Sequence, residues 1–408
     1  MTSTNAALTA DAAPRASLET LREVVEALAP LEREAGSEGE REAAQWLAAR
    51  LEATGATVAV DEEEFLDGYA DLLAGMSAAG AAAGLAALTR RGRALGIAGG
   101  AVAAAAIADE VSNGVRPVRR AVGRRKTTWN VVAELGDPEA ERTVVAIAHH
   151  DAAHGGLAFD QTLQRKLVDL FPGVIERIDT AIPVWWGVAA GPALAALGAA
   201  TRRRGLAAAG AALSAVSTAA FKDIARHPVV PGANDNLSGV AALVALAEAF
   251  RERPVRGLHL ILASVGAEEV LQGGIYGFAR RRLAPLDRER TWVINIETVG
   301  SPSLAMLEGE GPFVMEDYFD RGLRDLCERI AIREGIAIRR GMRASTSTDS
   351  VIPSRMGIPT LCLTSLNRHK ALSNYHSPAD VPENLSYGTV ACATDLAEAV
   401  IRELAPPG

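Results

Sequence analysis

Cysteine is scarce in this chain, which has only three cysteines in 408 residues. Cys327, Cys362 and Cys392 lie far apart, form no C-x-x-C pair and leave an odd number for pairing. A disulfide framework is therefore excluded. Three reduced thiols in a domain that faces the cytosol are the economical interpretation.

An excess of positive charge is also missing. The formal net charge is -8, and the basic run of residues 116–126 is only local. Nucleic-acid-binding proteins usually present a broad basic surface, so that function is set aside. The first seventeen residues contain no basic segment followed by an apolar one, so no secretory signal is expected. Residues 1–16 are predicted to form a flexible tail.

Charged side chains are nearly absent from four Ala- and Gly-rich runs. Leu72 to Leu88 and Ala94 to Ala108 are separated by a turn that contains three arginines, and the same design recurs in Ala181 to Ala200 and Leu206 to Phe221. These runs predict two apolar helical hairpins, at about residues 69–112 and 178–223. The hairpins interrupt a domain that we expect to cover residues 17–408.

The hairpins have two interpretations. A membrane-spanning helix needs roughly 20 apolar residues, a length that Ala181 to Ala200 reaches and Ala94 to Ala108 does not. Small residues suit close helix packing in lipid, and the pair Trp185-Trp186 matches an interfacial aromatic belt. Alanine drives insertion only weakly, and a soluble four-helix cap is the alternative.

If the hairpins span a membrane, basic residues predict their orientation. The tip of the first hairpin carries three basic residues. The segment that follows the hairpin carries six: Arg116, Arg119, Arg120, Arg124, Arg125 and Lys126. Positive charge favours the cytoplasmic side, so the main domain is expected to be membrane-attached and cytoplasmic. The second hairpin does not settle the orientation. A soluble cap would make the whole protein cytoplasmic.

Outside the hairpins, strand-like and helical patterns alternate. The predicted strands are Thr57 to Val60, Trp129 to Leu135, Thr143 to Ala148, Leu258 to Ser264, Thr291 to Ile296, Leu304 to Leu307 and Thr360 to Leu363. The predicted helices are Ser17 to Leu31, a capped helix from Ser37, Ser238 to Arg251, Gly274 to Arg282, Met315 to Gly335 and Leu385 to Leu404. Several strands are apolar on both faces, as buried parallel strands are. We predict an α/β three-layer sandwich with a mostly parallel central sheet.

Polar residues follow the predicted strands at their carboxyl ends, where open α/β sheets place their sites. His149 and Asp151 follow Thr143 to Ala148. In a His-x-Asp arrangement the imidazole can bind a metal ion while the carboxylate orients it. His150 and His154 are alternative ligands that the spacing does not exclude.

Asp235 lies in the polar turn Gly232 to Gly239, just before an apolar helical pattern. Its two oxygens could each bind one ion. The alternative is a capping loop in which Asn234, Asp235, Asn236 and Ser238 only satisfy backbone donors.

The pair Glu268-Glu269 follows Leu258 to Ser264. Adjacent carboxylates raise each other's pKa unless cations or protons compensate them, so one is expected to bind metal while the other faces a reacting water; the alternative is a solvated acidic turn. Glu297 ends the strand Thr291 to Ile296, and His376 lies in a late loop. Each alone is ordinary, but together they predict a metal site built from His149, Asp235, Glu269, Glu297 and His376.

These motifs resemble the di-zinc exopeptidases that include bacterial aminopeptidases and glutamate carboxypeptidase, with glutaminyl cyclase as a one-zinc relative. The resemblance rests on His149-x-Asp151, the Gly-Ala-Asn-Asp-Asn-x-Ser-Gly segment around Asp235, Glu268-Glu269, Asn295-x-Glu297, Asp349 with Met356-Gly357-Ile358-Pro359, Tyr375-His376 and the capped helix near Ser37. These motifs occur in the family's order. The hairpins are not part of the common family core.

The resemblance implies two zinc ions per chain. Asp235 would bridge them, His149 and Glu297 would bind one, and Glu269 and His376 the other. Further implied roles are an orienting partner of His149 for Asp151, the general base for Glu268, and polarisation of the scissile carbonyl for Tyr375. Glu297 stands where the family usually has Asp, which puts the strength of that zinc site in doubt.

The implied function is a zinc-dependent exopeptidase, more specifically an aminopeptidase, that hydrolyses peptide or aminoacyl amide bonds. A different class is a non-catalytic, membrane-attached binding or scaffold protein on a peptidase fold, which the hairpins and Glu297 would suit. Cyclase chemistry with one zinc is less favoured, because His149 and Glu297 preserve a second site.

Overall fold

The structure is a computed structural model that describes residues 15–171 and 184–406. Most of the predicted tail (residues 1–14) and the start of the second predicted hairpin (residues 178–183) lie outside the described residues. Arg15 and Ala16 were predicted to belong to the tail, but their N–H groups donate to the Asp395 carboxylate at 2.8 and 2.9 Å. A distant carboxylate thus holds the backbone of these two residues.

A sheet of nine strands forms the centre of the described part of the chain. The strands are β1 (Thr57–Asp67), β2 (Arg124–Gly136), β3 (Arg142–His149), β4 (Leu258–Val265), β5 (Thr291–Ile296), β6 (Ser303–Glu310), β7 (Glu316–Asp317), β8 (Arg339–Ala344) and β9 (Thr360–Leu366). Their order is β1-β2-β4-β3-β5-β9-β6-β7, and β8 pairs with β6. The inner strands β4, β3, β5 and β9 are parallel, whereas β1, β2 and β6 join by antiparallel pairing. The predicted parallel sheet is confirmed at its centre, and antiparallel strands extend it on both sides.

Helices cover both faces of the sheet and also form a separate bundle. They are α1 (Leu18–Leu28), α2 (Glu38–Glu52), α3 (Tyr69–Ala87), α4 (Arg93–Val111), α5 (Pro117–Val122), α6 (Thr162–Leu170), α7 (Val184–Thr201), α8 (Arg204–Ile224), α9 (Ser238–Glu252), α10 (Ile275–Phe278), α11 (Arg321–Glu334), α12 (Val351–Arg355) and α13 (Tyr387–Leu404). Alternate residues of β3 face opposite layers: Val144 and Ala146 pack with α1, α2, α9 and α13, while Val145 and Ile147 pack with α10 and α12. The predicted three-layer sandwich is confirmed.

Two predicted boundaries differ from the structure for identifiable reasons. The strand predicted to end at Val60 continues to Asp67, since Asp61 and Glu63 are buried and accept hydrogen bonds from Arg282 and Arg281, each at 2.8 Å. These acidic residues conceal the alternation that predicts a strand. The helix predicted to begin at Met315 begins instead after Asp320, whose side chain accepts the N–H of Gly322 and caps it.

The two apolar hairpins are present, and they pack together as a bundle of four helices: α3, α4, α7 and α8. Glycines bring the backbones close. A Cβ added to Gly210 would lie 2.4 Å from the backbone nitrogen of Ala195, and one on Gly84 would lie 2.8 Å from the Cβ of Ala211. Substitution of either glycine would therefore force the helices apart.

Three bundle helices, α3, α4 and α8, are long and apolar enough to cross a membrane, with mean hydropathies of 1.2 to 1.5. Only 33–44% of the residues in these stretches are buried. The outward-facing remainder includes large apolar side chains, among them Leu95 and Val102, which are 69% and 67% exposed. The bundle thus combines a tightly packed interior with an apolar outer surface.

Candidate metal centre

Three of the predicted ligands lie at one edge of the sheet because parallel strands end there together. His149 is the last residue of β3, Glu297 follows β5, and Glu269 lies four residues after Val265, the last residue of β4. His149 is fully buried and Glu297 is almost so. The polar groups therefore converge in an interior position, where an isolated charge would be costly.

Asp235 is positioned by a loop whose neighbouring side chains satisfy backbone donors. The Asn234 side chain accepts the N–H of Gly300 at 2.7 Å, and the Asn236 side chain accepts those of Thr298 and Gly239 at 2.9 and 3.1 Å. The capping interpretation is thus correct for these two asparagines, which frees the Asp235 carboxylate for other contacts.

The Asp235 carboxylate lies between the two histidines. Its Oδ1 is 3.3 Å from Nε2 of His149, and its Oδ2 is 3.3 Å from Nε2 of His376. Glu297 Oε1 lies 3.3 Å from the same nitrogen of His149, and Glu269 Oε2 lies 3.1 Å from that of His376. The structure therefore groups the predicted ligands as two His-carboxylate pairs that share Asp235.

These separations suit zinc. Ligand atoms bound tetrahedrally at ~2.0–2.1 Å lie roughly 3.3 Å from one another, which agrees with the observed distances. Neither Nδ1 of His376 nor Oε1 of Glu269 has a hydrogen-bond partner among the described residues, although both atoms are buried. Buried polar atoms without partners are rare. Imidazole and carboxylate are also common zinc donors, so the residues present fit the metal.

The charge of the site also calls for cations. Burial lowers the pKa of His376, but the nearby carboxylates of Glu269 and Asp235 outweigh this and raise it to about 10. Burial is the main cause that raises the pKa of Glu269, and the negative charge of Asp235 raises it further. The carboxylates therefore compete for too few positive charges, a deficit that bound cations would remove.

Asp151 connects His149 to the acidic pair. Its Oδ1 lies 3.4 Å from Nδ1 of His149, on the side of the ring away from Asp235. Its two oxygens also accept the backbone N–H groups of Glu268 and Glu269 at 2.9 and 3.0 Å. The Asp151 carboxylate thus fixes the turn that presents both glutamates. It also lies beside the His149 ring, whose Nδ1 is 3.3 Å from the Asp151 carbonyl oxygen.

The predicted general base, Glu268, is 9% exposed. Its Oε1 accepts a hydrogen bond from the Gln272 side chain at 2.7 Å. Burial raises the pKa of its carboxyl group well above the ordinary value, and the charges of Asp349, Glu269 and Glu297 add to this effect. A carboxylate held in such surroundings has a strong tendency to take up a proton.

His150 and His154 do not join the ligand cluster. His150 shares a hydrogen bond with Ser264 Oγ at 2.9 Å, and burial lowers its pKa to about 4. His154 bonds to the carbonyl of His227 at 2.6 Å. Of the three candidate histidines in this segment, His149 is the one placed beside Asp235 and Glu297.

Comparison with known proteins agrees with this arrangement. Residues 216–401 match the family model described as Peptidase family M28. We call these matching residues the M28 segment. It contains Asp235, Glu268, Glu269, Glu297 and His376, and it begins within α8. The resemblance inferred from the sequence is confirmed, as is the expected enzyme class, a peptidase.

Solved structures with the same fold include several bacterial enzymes. A leucine aminopeptidase precursor from Bacteroides thetaiotaomicron is 13% identical, with a TM-score of 0.56 over 95% of this chain and 98% of its own. A Zn-dependent exopeptidase from Parabacteroides distasonis is 15% identical, with a TM-score of 0.54 over 96% and 99%. Glutaminyl cyclase from Porphyromonas gingivalis is 13% identical, with a TM-score of 0.55 over 96% and 99%. At these identities the similarity establishes the fold. Among curated protein sequences, none matches this chain significantly.

A pocket of about 120 Å³ lies beside the candidate metal centre. It is lined by Glu269 and His376, by the segment Ala152–His154, by Phe159, by Tyr69 and Asp71 of α3, and by Ile224 and Ala225 at the end of α8. The ends of both hairpins thus form part of its wall. The insertion of the second hairpin between His149 and Asp235 had suggested that it lies near the site, whereas the contribution of the first hairpin was not predicted.

Tyr375 stacks on the His376 imidazole, with ring centroids 3.8 Å apart and planes inclined by 21°. Burial raises the pKa of its hydroxyl well above the ordinary value, and the negative charges of Asp235 and Glu269 contribute. The phenol therefore remains protonated and can act as a hydrogen-bond donor at neutral pH.

Sequence reasoning missed two residues that hold the ligand loops. Asp380 accepts the backbone N–H groups of Asn234 and Asp235 at 2.8 and 3.1 Å. Arg33 is fully buried and donates to the carbonyls of His150 and Pro231, each at 2.8 Å. The closeness of Asp380 to His376 in the sequence was an available signal. For Arg33 there was none, since its acceptors are backbone atoms far along the chain.

Proposed function

We propose that this protein is a zinc-dependent exopeptidase, and specifically an aminopeptidase. The observation that carries this proposal is the placement of two His-carboxylate pairs around Asp235, with Glu268 beside them in a buried site. His149 and Glu297 would hold one zinc ion, His376 and Glu269 the other, and Asp235 would bridge them. Bound zinc would lower the pKa of a water molecule and polarise the substrate carbonyl.

The residues of the chain account for the remaining steps. Glu268 would take the proton from the attacking water and deliver it to the leaving amine, as a positioned acid-base group does. Gln272 holds one of its oxygens, and Asp151 fixes its backbone. The protonated Tyr375 hydroxyl would donate a hydrogen bond to the carbonyl oxygen, whose negative charge grows as water adds to the carbonyl carbon.

The charge of the pocket supports recognition of an amino terminus. Its lining includes the carboxylates of Glu34, Asp67, Asp71 and Glu269, and none of the described residues that line it is Lys or Arg. Lys126 pairs with Glu34 and Asp67 at 3.2 and 3.0 Å, and Lys222 pairs with Asp71 at 2.6 Å, so the four carboxylates exceed the two neighbouring cations. An acidic pocket attracts the ammonium group of a free N-terminus and repels the carboxylate of a C-terminus.

A panel of substrates tests this assignment. Aminoacyl amides should be hydrolysed when zinc is supplied and not when a chelator is present, whereas N-blocked dipeptides should be poor substrates. Preference for the N-blocked dipeptides would indicate a carboxypeptidase instead. Formation of pyroglutamate from an N-terminal glutamine would favour cyclase chemistry, and no reaction with any of them would favour the scaffold alternative.

We further propose that the bundle attaches the enzyme to a membrane. The lengths of α3, α4 and α8, their apolar outer faces and their small-residue interior all suit lipid. The tips of the two hairpins meet, because the Arg93 side chain donates to the carbonyls of Ala199 and Ala200, each at 3.0 Å. Their arginines would therefore lie together in one headgroup layer.

The structure changes the argument for orientation. Arg116 and Arg119 are two of the six basic residues that follow the first hairpin. Both are buried and form hydrogen bonds within the protein, so they face no headgroups. The remaining support for a cytoplasmic catalytic domain comes from the three cysteines, which form no disulfide and suit a reducing compartment. Protease treatment of intact cells would test it: a C-terminal tag should be protected, and digestion of the tag would place the domain outside.

A further inference from the structure

The loop that carries Glu268 and Glu269 has an unusual backbone. Ala267, Leu271 and Gln272 all have positive φ values, of 55°, 67° and 60°. Residues other than glycine rarely adopt this conformation and do so only where surrounding contacts hold them. The contacts that hold this loop are therefore important for the position of both glutamates.

Part of the support comes from residues at the end of the first hairpin. The Arg119 guanidinium donates to the carbonyl of Val270, the residue after Glu269, at 2.7 Å. The same nitrogen donates to the carbonyl of Leu66 at 2.8 Å, just before α3 begins. Its Nε pairs with Glu110 of α4 at 2.5 Å. Arg119 thus joins both ends of the hairpin to the catalytic loop.

Arg116 provides a second connection. Its guanidinium donates to the carbonyl of Leu271 at 3.0 Å and, through Nε, to the carbonyl of Glu110 at 3.2 Å. Arg116, Arg119 and Glu110 are 8%, 4% and 1% exposed. We call these three residues the hairpin foot. Two successive carbonyls of the loop, those of Val270 and Leu271, are accordingly fixed by two buried arginines.

We infer that the hairpin foot is a positioning device for the Glu268–Glu269 loop, so that the inserted bundle takes part in setting the geometry of the metal centre. This inference rests on the proposed function for its effect on turnover. Arginine suits the role, because its planar group can donate to several acceptors in fixed directions while it pairs with a carboxylate. A lysine could keep the charge but not the same set of hydrogen bonds.

The test separates positioning from simple stabilisation. Arg119→Lys should reduce kcat by ~10–100-fold, the usual cost of disturbing groups that orient metal ligands, with KM changed far less. Zinc affinity, measured by competition with a chelator, should also fall. Arg324→Lys is the matched control: Arg324 is likewise 4% exposed, pairs with Glu308 at 2.9 Å and donates to the carbonyl of Tyr318. These partners lie outside the loop, so kcat and zinc affinity should stay near wild type.

A double variant, Arg119→Met with Glu110→Met, sharpens the distinction. Replacement of both members of a buried pair with apolar groups often preserves stability, so the thermal midpoint should stay close to that of the wild type while kcat and zinc affinity remain low. Wild-type kcat and zinc affinity in the double variant would overturn the inference. If that variant does not fold, Arg119→Lys decides, since it retains the charge, and wild-type values there would overturn the inference as well.

Failure of the proposed function would be distinguishable from failure of this inference. A wild-type protein that binds zinc but hydrolyses no substrate would end the peptidase proposal. The chelator competition would still show whether substitution at Arg119 weakens zinc binding through Glu269, and an unchanged affinity would contradict the positioning role.

Discussion

The ring of Phe159 lies against the imidazole of His376, with centroids 4.4 Å apart and planes inclined by 69°. Phe159 also packs against an apolar cluster that includes Trp185 and Phe221 of the helical bundle, whose rings stack at 6.2 Å. Apolar packing thus connects the bundle to a candidate metal ligand. The predictions below treat the bundle and the metal centre as neighbouring parts of one site.

Removal of the proposed base should stop chemistry without removing metal. Glu268→Gln keeps the size of the side chain but cannot accept a proton, so turnover should fall by at least ~100-fold while zinc content stays near that of the wild type. Glu269→Gln is the contrasting variant and should lose zinc as well. Enzyme kinetics combined with metal analysis gives both readouts, and unchanged turnover in Glu268→Gln would remove Glu268 from the mechanism.

The length of Glu297 matters for the zinc site it shares with His149. The glutamate oxygen already lies 3.3 Å from His149 Nε2, a separation that suits two ligands of one ion. Glu297→Asp should withdraw the carboxylate by about one bond and weaken that site, even though the family usually has Asp there. Chelator competition measures this, with Glu289→Asp at an exposed position as the control. Tighter zinc binding in Glu297→Asp would show that the longer side chain is a misfit.

Membrane attachment predicts sedimentation. In detergent-free lysate the wild-type protein should pellet with membranes, and the pair Leu95→Glu and Val102→Glu on the outer face of α4 should move it toward the supernatant, because charge is costly in lipid. Ile332→Glu is the control, since Ile332 is 72% exposed on α11 and should have no effect. Recovery of the wild-type protein in the supernatant after high-speed centrifugation would identify the bundle as a soluble cap.

Stability should depend on pH through Glu310. Burial raises the pKa of this carboxyl to about 8, despite hydrogen bonds from Tyr318 and Thr348 and with a small contribution from the Glu297 charge. The folded state therefore prefers protonated Glu310. Its contribution is full below the unfolded-state pKa near 4.5 and is lost as the pH rises through about 8.

The corresponding measurement is the free energy of unfolding of zinc-free protein between pH 5 and 9. Glu310→Gln keeps an oxygen acceptor for Tyr318 and should flatten the pH dependence, gaining on the order of a few kcal/mol relative to the wild type at the alkaline end. Glu289→Gln, at an exposed position, should leave the dependence unchanged. Parallel curves for wild type and Glu310→Gln would show that another group is responsible.

The sequence predicted the fold where local patterns are strong. β5 was predicted with its observed bounds, and β3, β4 and α9 with errors of one residue, because each is a continuous apolar segment. The sequence did not predict strands in which charged residues pair with distant side chains instead of apolar residues packing together. Asp61 and Glu63 are buried in β1 through pairing with arginines, and β8 has a basic sequence that pairs with acidic residues such as Glu308.

The candidate site followed from the sequence to a similar extent. Ligand residues at strand ends were recognisable, since parallel strands bring their carboxyl ends together. The residues that hold the ligand loops in place could not be recognised from the sequence. Arg33, Arg116 and Arg119 act on backbone carbonyls of distant segments, and no local pattern distinguishes such an arginine from one on the surface. The sequence indicated that the second hairpin lies near the site, because it is inserted between His149 and Asp235. It did not indicate that the first hairpin also lines the pocket.

Titration of metal-free protein with zinc tests the central claim most directly. Hydrolysis of an aminoacyl amide should be absent in the metal-free protein, should return as zinc is added, and should reach its maximum at two ions per chain. Full turnover after chelation would contradict the metal centre itself, and a maximum at one ion per chain would contradict the shared role of Asp235.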